Sequence, residues 1–324
     1  MNTATRLGVY ALGLAVVFGG ALGAGRAIGP AGTPLPAEDH SAMAPAEEAA
    51  EGHGDDHGGT TQQAAGDTPG GLQVSDKGYT LNPLTTVKAG EPTDFRFTVT
   101  GVDGKPVTGY EVEHEKELHF IVVSRDLATF QHLHPTRAAD GVWTTKLTLD
   151  EPGAYRAFAD FVPAGGSGLT LGTDLLVAGD YEPKPLTEVS RTAEVDGYTV
   201  SLDGDLVPGR SSKLTLSVSK DGKPVTDLQP YLEAYGHLVA LRAGDLAYLH
   251  VHPDGTPGDG KTAAGPEIVF YAEVPSAGDY RLFLDFQHEG KVRTADFTAR
   301  AGAGQPRPTA EPSAGASHDD DHTH

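Results

Sequence analysis

The 324-residue chain contains no cysteine. That excludes disulfides, thiolate metal sites, a cysteine nucleophile and a lipid-modified cysteine anchor. Methionine is nearly as scarce, with two residues, which disfavours a methionine-rich Cu(I) carrier. Positive charge is also short: 24 Lys+Arg stand against 45 Asp+Glu, a formal net charge of -21. Such a balance argues against a nucleic-acid partner and leaves solubility, or cations as ligands, to explain it. Long helical periodicity is missing too, which excludes helical repeats and large α/β enzymes. Nor is there a Gly-x-Ser-x-Gly elbow, a phosphate loop or a dinucleotide fingerprint. The expectation is a protein that is not an enzyme.

What is present begins with an apolar run from Leu7 to Gly25, preceded by Arg6 and followed by Arg26. Such a run engages the export machinery, and its length just reaches the roughly 17–25 residues that span a bilayer. Residues 1–26 therefore read as a signal anchor, with the N-terminus inside, or as a signal peptide, cleaved near Ala21, Gly23 and Ala24. Either way the remainder is extracytoplasmic, membrane-anchored or secreted. Residues 27–71 form an acidic Ala/Gly/Pro-rich linker carrying His40, His53 and His57, and residues 302–324 a tail ending in His318, His322 and His324. Tracts of this composition stay unfolded and collect divalent ions weakly.

Between them lies a duplication. Asp103-Gly-Lys-Pro-Val-Thr108 recurs as Asp221-Gly-Lys-Pro-Val-Thr226, and at that offset of 118 the stretch from Asp103 to Pro135 is identical at 11 of 33 positions. Two tandem domains of one fold follow, over 72–180 and 191–301, joined by a Pro-containing linker at 181–190. Within each, apolar residues alternate with polar ones: Phe95, Phe97 and Val99 in the first, Leu214, Leu216 and Val218 in the second. Period 2 marks half-buried strands, and the Asp-Gly-Lys-Pro segments are turns. The fold class is all-β: two immunoglobulin-like β-sandwiches in which apolar packing replaces the usual inter-sheet disulfide. Tyr155 and Tyr280, each just after a Gly turn, fit the tyrosine corner of such folds.

Six histidines belong to the repeat: His119, His132 and His134, matched by His237, His250 and His252. In an extended segment residues i and i+2 face the same way, so each His-x-His presents two imidazoles to one point. A third, from the neighbouring strand, completes a His₃ set of the kind Cu(II) or Zn(II) accepts. Each domain holds such a site, or the two face one another and share one. His114 and His288, each present in one copy only, are further metal candidates, and Asp160 and Asp285 are matching acidic ones. His250-Val-His252-Pro-Asp254 imitates a metallohydrolase motif, but Gly255 stands where its last His belongs.

The segments Phe130-Gln-His-Leu-His-Pro135 and Tyr248-Leu-His-Val-His-Pro253, with Glu117-Leu-His119 and Gly236-His237 upstream, resemble those of actinobacterial exported proteins with tandem immunoglobulin-like repeats. More distantly they are similar to YtkA-like and copper-resistance sandwich domains. The resemblance covers about residues 72 to 300 and implies extracytoplasmic handling of copper or another heavy metal by the six repeated His, with an envelope metal transporter or chaperone as partner. The competing reading is a cell-surface interaction module whose His are structural; a third is a pH-responsive surface, since clustered His titrate near pH 6.5.

Overall fold

The computed structural model describes residues 68–302. The N-terminal apolar run, the acidic linker up to residue 67 and the His/Asp tail lie outside the described residues, within which no helix is long and apolar enough to cross a membrane.

Every regular element among the described residues is a strand. The first domain holds β1 (Ser75–Asp76), β2 (Tyr79–Pro83), β3 (Thr93–Thr100), β4 (His119–Ser124), β5 (Phe130–Leu133), β6 (Thr136–Arg137), β7 (Val142–Leu147), β8 (Gly153–Phe161) and β9 (Leu169–Val177). The second holds β10 (Thr192–Val195), β11 (Tyr198–Asp203), β12 (Arg210–Lys220), β13 (Lys223–Pro224), β14 (His237–Arg242), β15 (Val251–Pro253), β16 (Glu267–Val274), β17 (Gly278–His288) and β18 (Lys291–Ala301). Each domain is a two-sheet antiparallel sandwich. Sheet β1-β2-β3-β7-β6 packs on β5-β4-β8-β9, and β10-β11-β12-β16-β15 on β14-β17-β18. These are immunoglobulin-like sandwiches in tandem.

In place of a disulfide, rings cross the first core. Phe97 on β3 stacks on Phe120 of the opposite sheet at 4.5 Å, and Trp143 packs against Phe97 and donates its indole N–H to Tyr110 Oη at 3.3 Å. Both tyrosine corners are present: Tyr155 Oη donates to Glu151 O at 2.8 Å and Tyr280 Oη to Ser276 O at 2.7 Å.

A third apolar cluster belongs to neither core. Strand parity creates it: on β4, Phe120 and Val122 enter the first core while Ile121 and Val123 face the second domain. On β14 and β17, Val239, Leu241 and Phe283 face back, whereas Leu238, Ala240, Leu282 and Leu284 fill the second core. The contacts are reciprocal. Phe130 stacks on Phe283 at 4.1 Å, and Tyr248, the counterpart of Phe130, meets Phe158, the counterpart of Phe283, at 5.6 Å. Equivalent faces thus meet about an approximate two-fold axis. The same parity turns His119, Asp160, His237 and Asp285 towards that interface.

Candidate metal centre between the domains

His119 opens β4, and His132 pairs with Ile121 across the β4–β5 ladder, so both rings stand on the interdomain face. His134 follows β5 and packs against both, with ring centroids 4.8 Å from His132 and 5.3 Å from His119. The second domain contributes His237, whose ring lies nearly parallel to that of its counterpart His119 at 5.3 Å, and 4.7 Å from His132. His114 lies 6.1 Å from His119 and 5.8 Å from His237. It sits on a tight turn whose ends, Glu113 and Lys116, exchange two backbone hydrogen bonds. The central residues His114 and Glu115 have φ of 50° and 64°, the left-handed pair of a type I′ hairpin turn, and Leu232 and Glu233 repeat it.

Hydrogen bonding fixes the tautomers. His132 Nδ1 lies 2.8 Å from Asp285 Oδ2, both side chains buried, so the carboxylate accepts and Nδ1 carries the proton. Asp285 is held in turn by Thr294 Oγ1, at 2.5 Å from its other oxygen. His119 Nε2 donates to the backbone carbonyl of Glu113 at 3.2 Å, leaving Nδ1 as its lone pair. That nitrogen faces His132 Nε2 at 3.1 Å. Two acceptors at this distance repel unless a positive charge lies between them. His134 Nε2 is buried with no hydrogen-bond partner among the described residues, although a buried polar atom normally has one.

One ring nitrogen from each of His119, His132 and His134 lies within 4.8 Å of the other two. Two nitrogens 3.1 Å apart, each about 2.0–2.1 Å from an ion, subtend about 98°, between the octahedral and tetrahedral angles. His119, His134 and the neighbouring His237 are also held in the uncharged, ligand form. Burial first, and His132 second, push His119 down to about 3. The same two causes bring His134 to about 4, and His237 lies well below its ordinary value through burial and the His132 and His119 rings beside it.

The second set is arranged differently. In the first domain the chain stays on β4 through Leu133, whereas in the second it crosses to the other sheet sooner: Leu249 still donates to Ala240, but His250 O already accepts from Glu273, and β15 pairs with β16. His250 and His252 are exposed, their rings 3.9 Å apart. Together with His114, His119 and His237 they line a polar cleft of about 930 Å³ between the domains. Asp160, counterpart of Asp285, is on its wall. Its Oδ1 accepts from Thr170 at 2.8 Å, and burial raises its pKa.

The two sets are not placed alike: the His237 ring packs on those of His119 and His132, while His250 and His252 stand on the cleft wall that His237 also lines. His288 stands apart from these rings: its Nδ1 lies 2.7 Å from Tyr198 Oη and its Nε2 3.1 Å from Asp227 Oδ1, so its two nitrogens tie β17 to β11 and to the segment after β13. The sequence pattern missed those partners, and it named Asp285 without its reach across the interface. The signal for that reach was the parity of β17, where apolar residues occupy both faces.

Among curated proteins none matches this sequence. Matches among solved structures include a protein of Corynebacterium diphtheriae described as membrane anchored (12% identity, 74% of this chain and 61% of that chain, TM-score 0.21). InvD of Yersinia pseudotuberculosis matches at 14% identity over 72% of this chain and 62% of that one, TM-score 0.22. Domains 4 and 5 of the S-layer protein SbsC match at 11% identity over 71% and 100%, TM-score 0.21. The chain thus spans about three-fifths of the first two proteins. One family model matches twice, over residues 73–176 and 193–303, once on each sandwich and over more than half of the chain, and the protein belongs to the family defined by the domain of unknown function DUF8832.

Proposed function

We propose that this protein is an extracytoplasmic immunoglobulin-like module that binds Cu(II) or Zn(II) between its two domains, through His119, His132 and His134, and buffers or delivers the metal. The observation that carries this reading is the pair of ring nitrogens facing at 3.1 Å while the protons on their opposite nitrogens are already committed, to Asp285 and to Glu113 O. A cation between them removes the repulsion and gives His134 Nε2 a partner. Asp285 then acts as the carboxylate that orients a ligating imidazole and raises its basicity. The apolar run Leu7–Gly25 supports export, and an envelope transporter or chaperone would be the partner in delivery.

A second reading draws on the burial of Asp285. His132 could itself carry a second proton, donating Nε2–H to His119 Nδ1 while Asp285 balances the charge. The cluster would then be a clasp holding a surface module's domains together, without an ion. Titration separates the two. The full chain, with the six tail histidines (His40, His53, His57, His318, His322, His324) changed to Ala, is titrated with Zn(II) and Cu(II) in a calorimeter. A saturably bound ion that is lost in His132→Ala/His134→Ala supports the metal reading. Zero binding in a folded protein leaves the clasp.

A further inference from the structure

The reciprocal interface assigns a counterpart to every element of the first site. His119 maps to His237, His132 to His250, His134 to His252, and Asp285 to Asp160. The correspondence extends to the support of the carboxylates. Asp285 is held through Oδ1 by Thr294 and gives Oδ2 to His132; Asp160 is held through Oδ1 by Thr170. Its other oxygen takes no protein donor among the described residues, and the residue lines the cleft with His237, His250 and His252. The rings of His250 and His252 already touch, are exposed, and make no side-chain hydrogen bond among the described residues. Rotation about their side-chain torsions therefore meets little resistance.

We propose that the cleft holds a second metal site, in which His237, His250 and His252 bind a divalent d-block cation and Asp160 orients His250 as Asp285 orients His132. The site opens to solvent where the first is buried, so it exchanges its ion faster and fills first on exposure to metal. It stands on its own side chains and does not require the first site to be occupied.

The test uses the full chain with its six tail histidines changed to Ala, and Zn(II) as the sole added ligand. Two ions per chain are expected by calorimetry. His250→Ala/His252→Ala, on the surface and harmless to folding, removes one ion and leaves the other. Asp160→Asn weakens that same ion by about 10–100-fold, the effect of losing a carboxylate behind a ligating imidazole. One ion per chain, unaffected by His250→Ala/His252→Ala, overturns the proposal, as does no binding at all. One ion lost in His250→Ala/His252→Ala but retained in His132→Ala/His134→Ala upholds this site and removes the buried one.

Discussion

At the scale of single residues, the interdomain cluster depends on which nitrogen carries each proton. Asp285 accepts from His132 Nδ1 and so presents Nε2 to His119 as a lone pair. Asp285→Asn keeps the shape, but its amide donates to Nδ1 and moves the imidazole proton to Nε2, the wrong tautomer for a ligand. Metal affinity at the His119/His132/His134 set is expected to fall about 10–100-fold, measured by Zn(II) titration of a variant whose circular dichroism is unchanged. His288 gives the contrasting case. Tyr198→Phe removes its 2.7 Å partner and leaves a buried imidazole nitrogen without one, a loss of about 1–3 kcal/mol. Urea unfolding should show that loss while the number of bound ions stays the same. A change in stoichiometry would return His288 to the ligands.

At the scale of elements, the strands were legible because one face of each meets a core. Phe95/Phe97/Val99 and Leu214/Leu216/Val218 alternate as half-buried strands must, and Tyr155 and Tyr280 announced their corners. The interface was legible only in outline. His119-Phe-Ile-Val-Val has apolar residues at both parities, which says that both faces are covered without saying by what. No periodicity links His132 to Asp285, 153 residues away. The early sheet switch at His250 was hidden as well, because the two His-x-His-Pro segments are alike in sequence while the backbone partners of Leu249 and His250 decide the crossing. The type I′ turns were also unannounced, since His114-Glu115 and Leu232-Glu233 lack the usual Asn-Gly. Left-handed backbone costs a residue with a Cβ roughly 1–2 kcal/mol. Glu115→Gly, at an exposed position with φ of 64°, is therefore expected to stabilise the first domain by up to about 1 kcal/mol, part of the gain being offset by the entropy of glycine in the unfolded chain. Thermal unfolding of the metal-free protein measures it.

For the whole molecule, the buried histidines link stability to pH. His119 and His134 titrate near 3 and 4 in the folded protein, through burial and the neighbouring His132, against about 6.5 in an unfolded chain. Between those values the unfolded state binds more protons, so stability is at its full value above pH 6.5 and falls as the pH drops towards 4. The slope reaches about 1.4 kcal/mol per pH unit for each such histidine. Urea midpoints of the metal-free protein at pH 8, 6 and 5 should be flat above 6.5 and then decline. Saturating Zn(II) should carry the plateau to lower pH, because an ion and a proton compete for the same nitrogens. A midpoint that does not change from pH 8 to 5 would mean that these rings are solvated.

The reciprocal pairing of Phe130 with Phe283 and Tyr248 with Phe158 has a consequence for how the protein can change. In a dimer of one short chain, each substitution appears on both sides of the axis, so a mutation that deepens one pocket must deepen its twin. Covalent fusion of the halves removes that restriction. His114 is matched by Leu232 and Phe130 by Tyr248, differences that a self-pairing subunit cannot hold. A duplicated chain can therefore divide labour across its own axis, with one half kept tight and the other kept accessible, and selection can adjust either half without altering its counterpart.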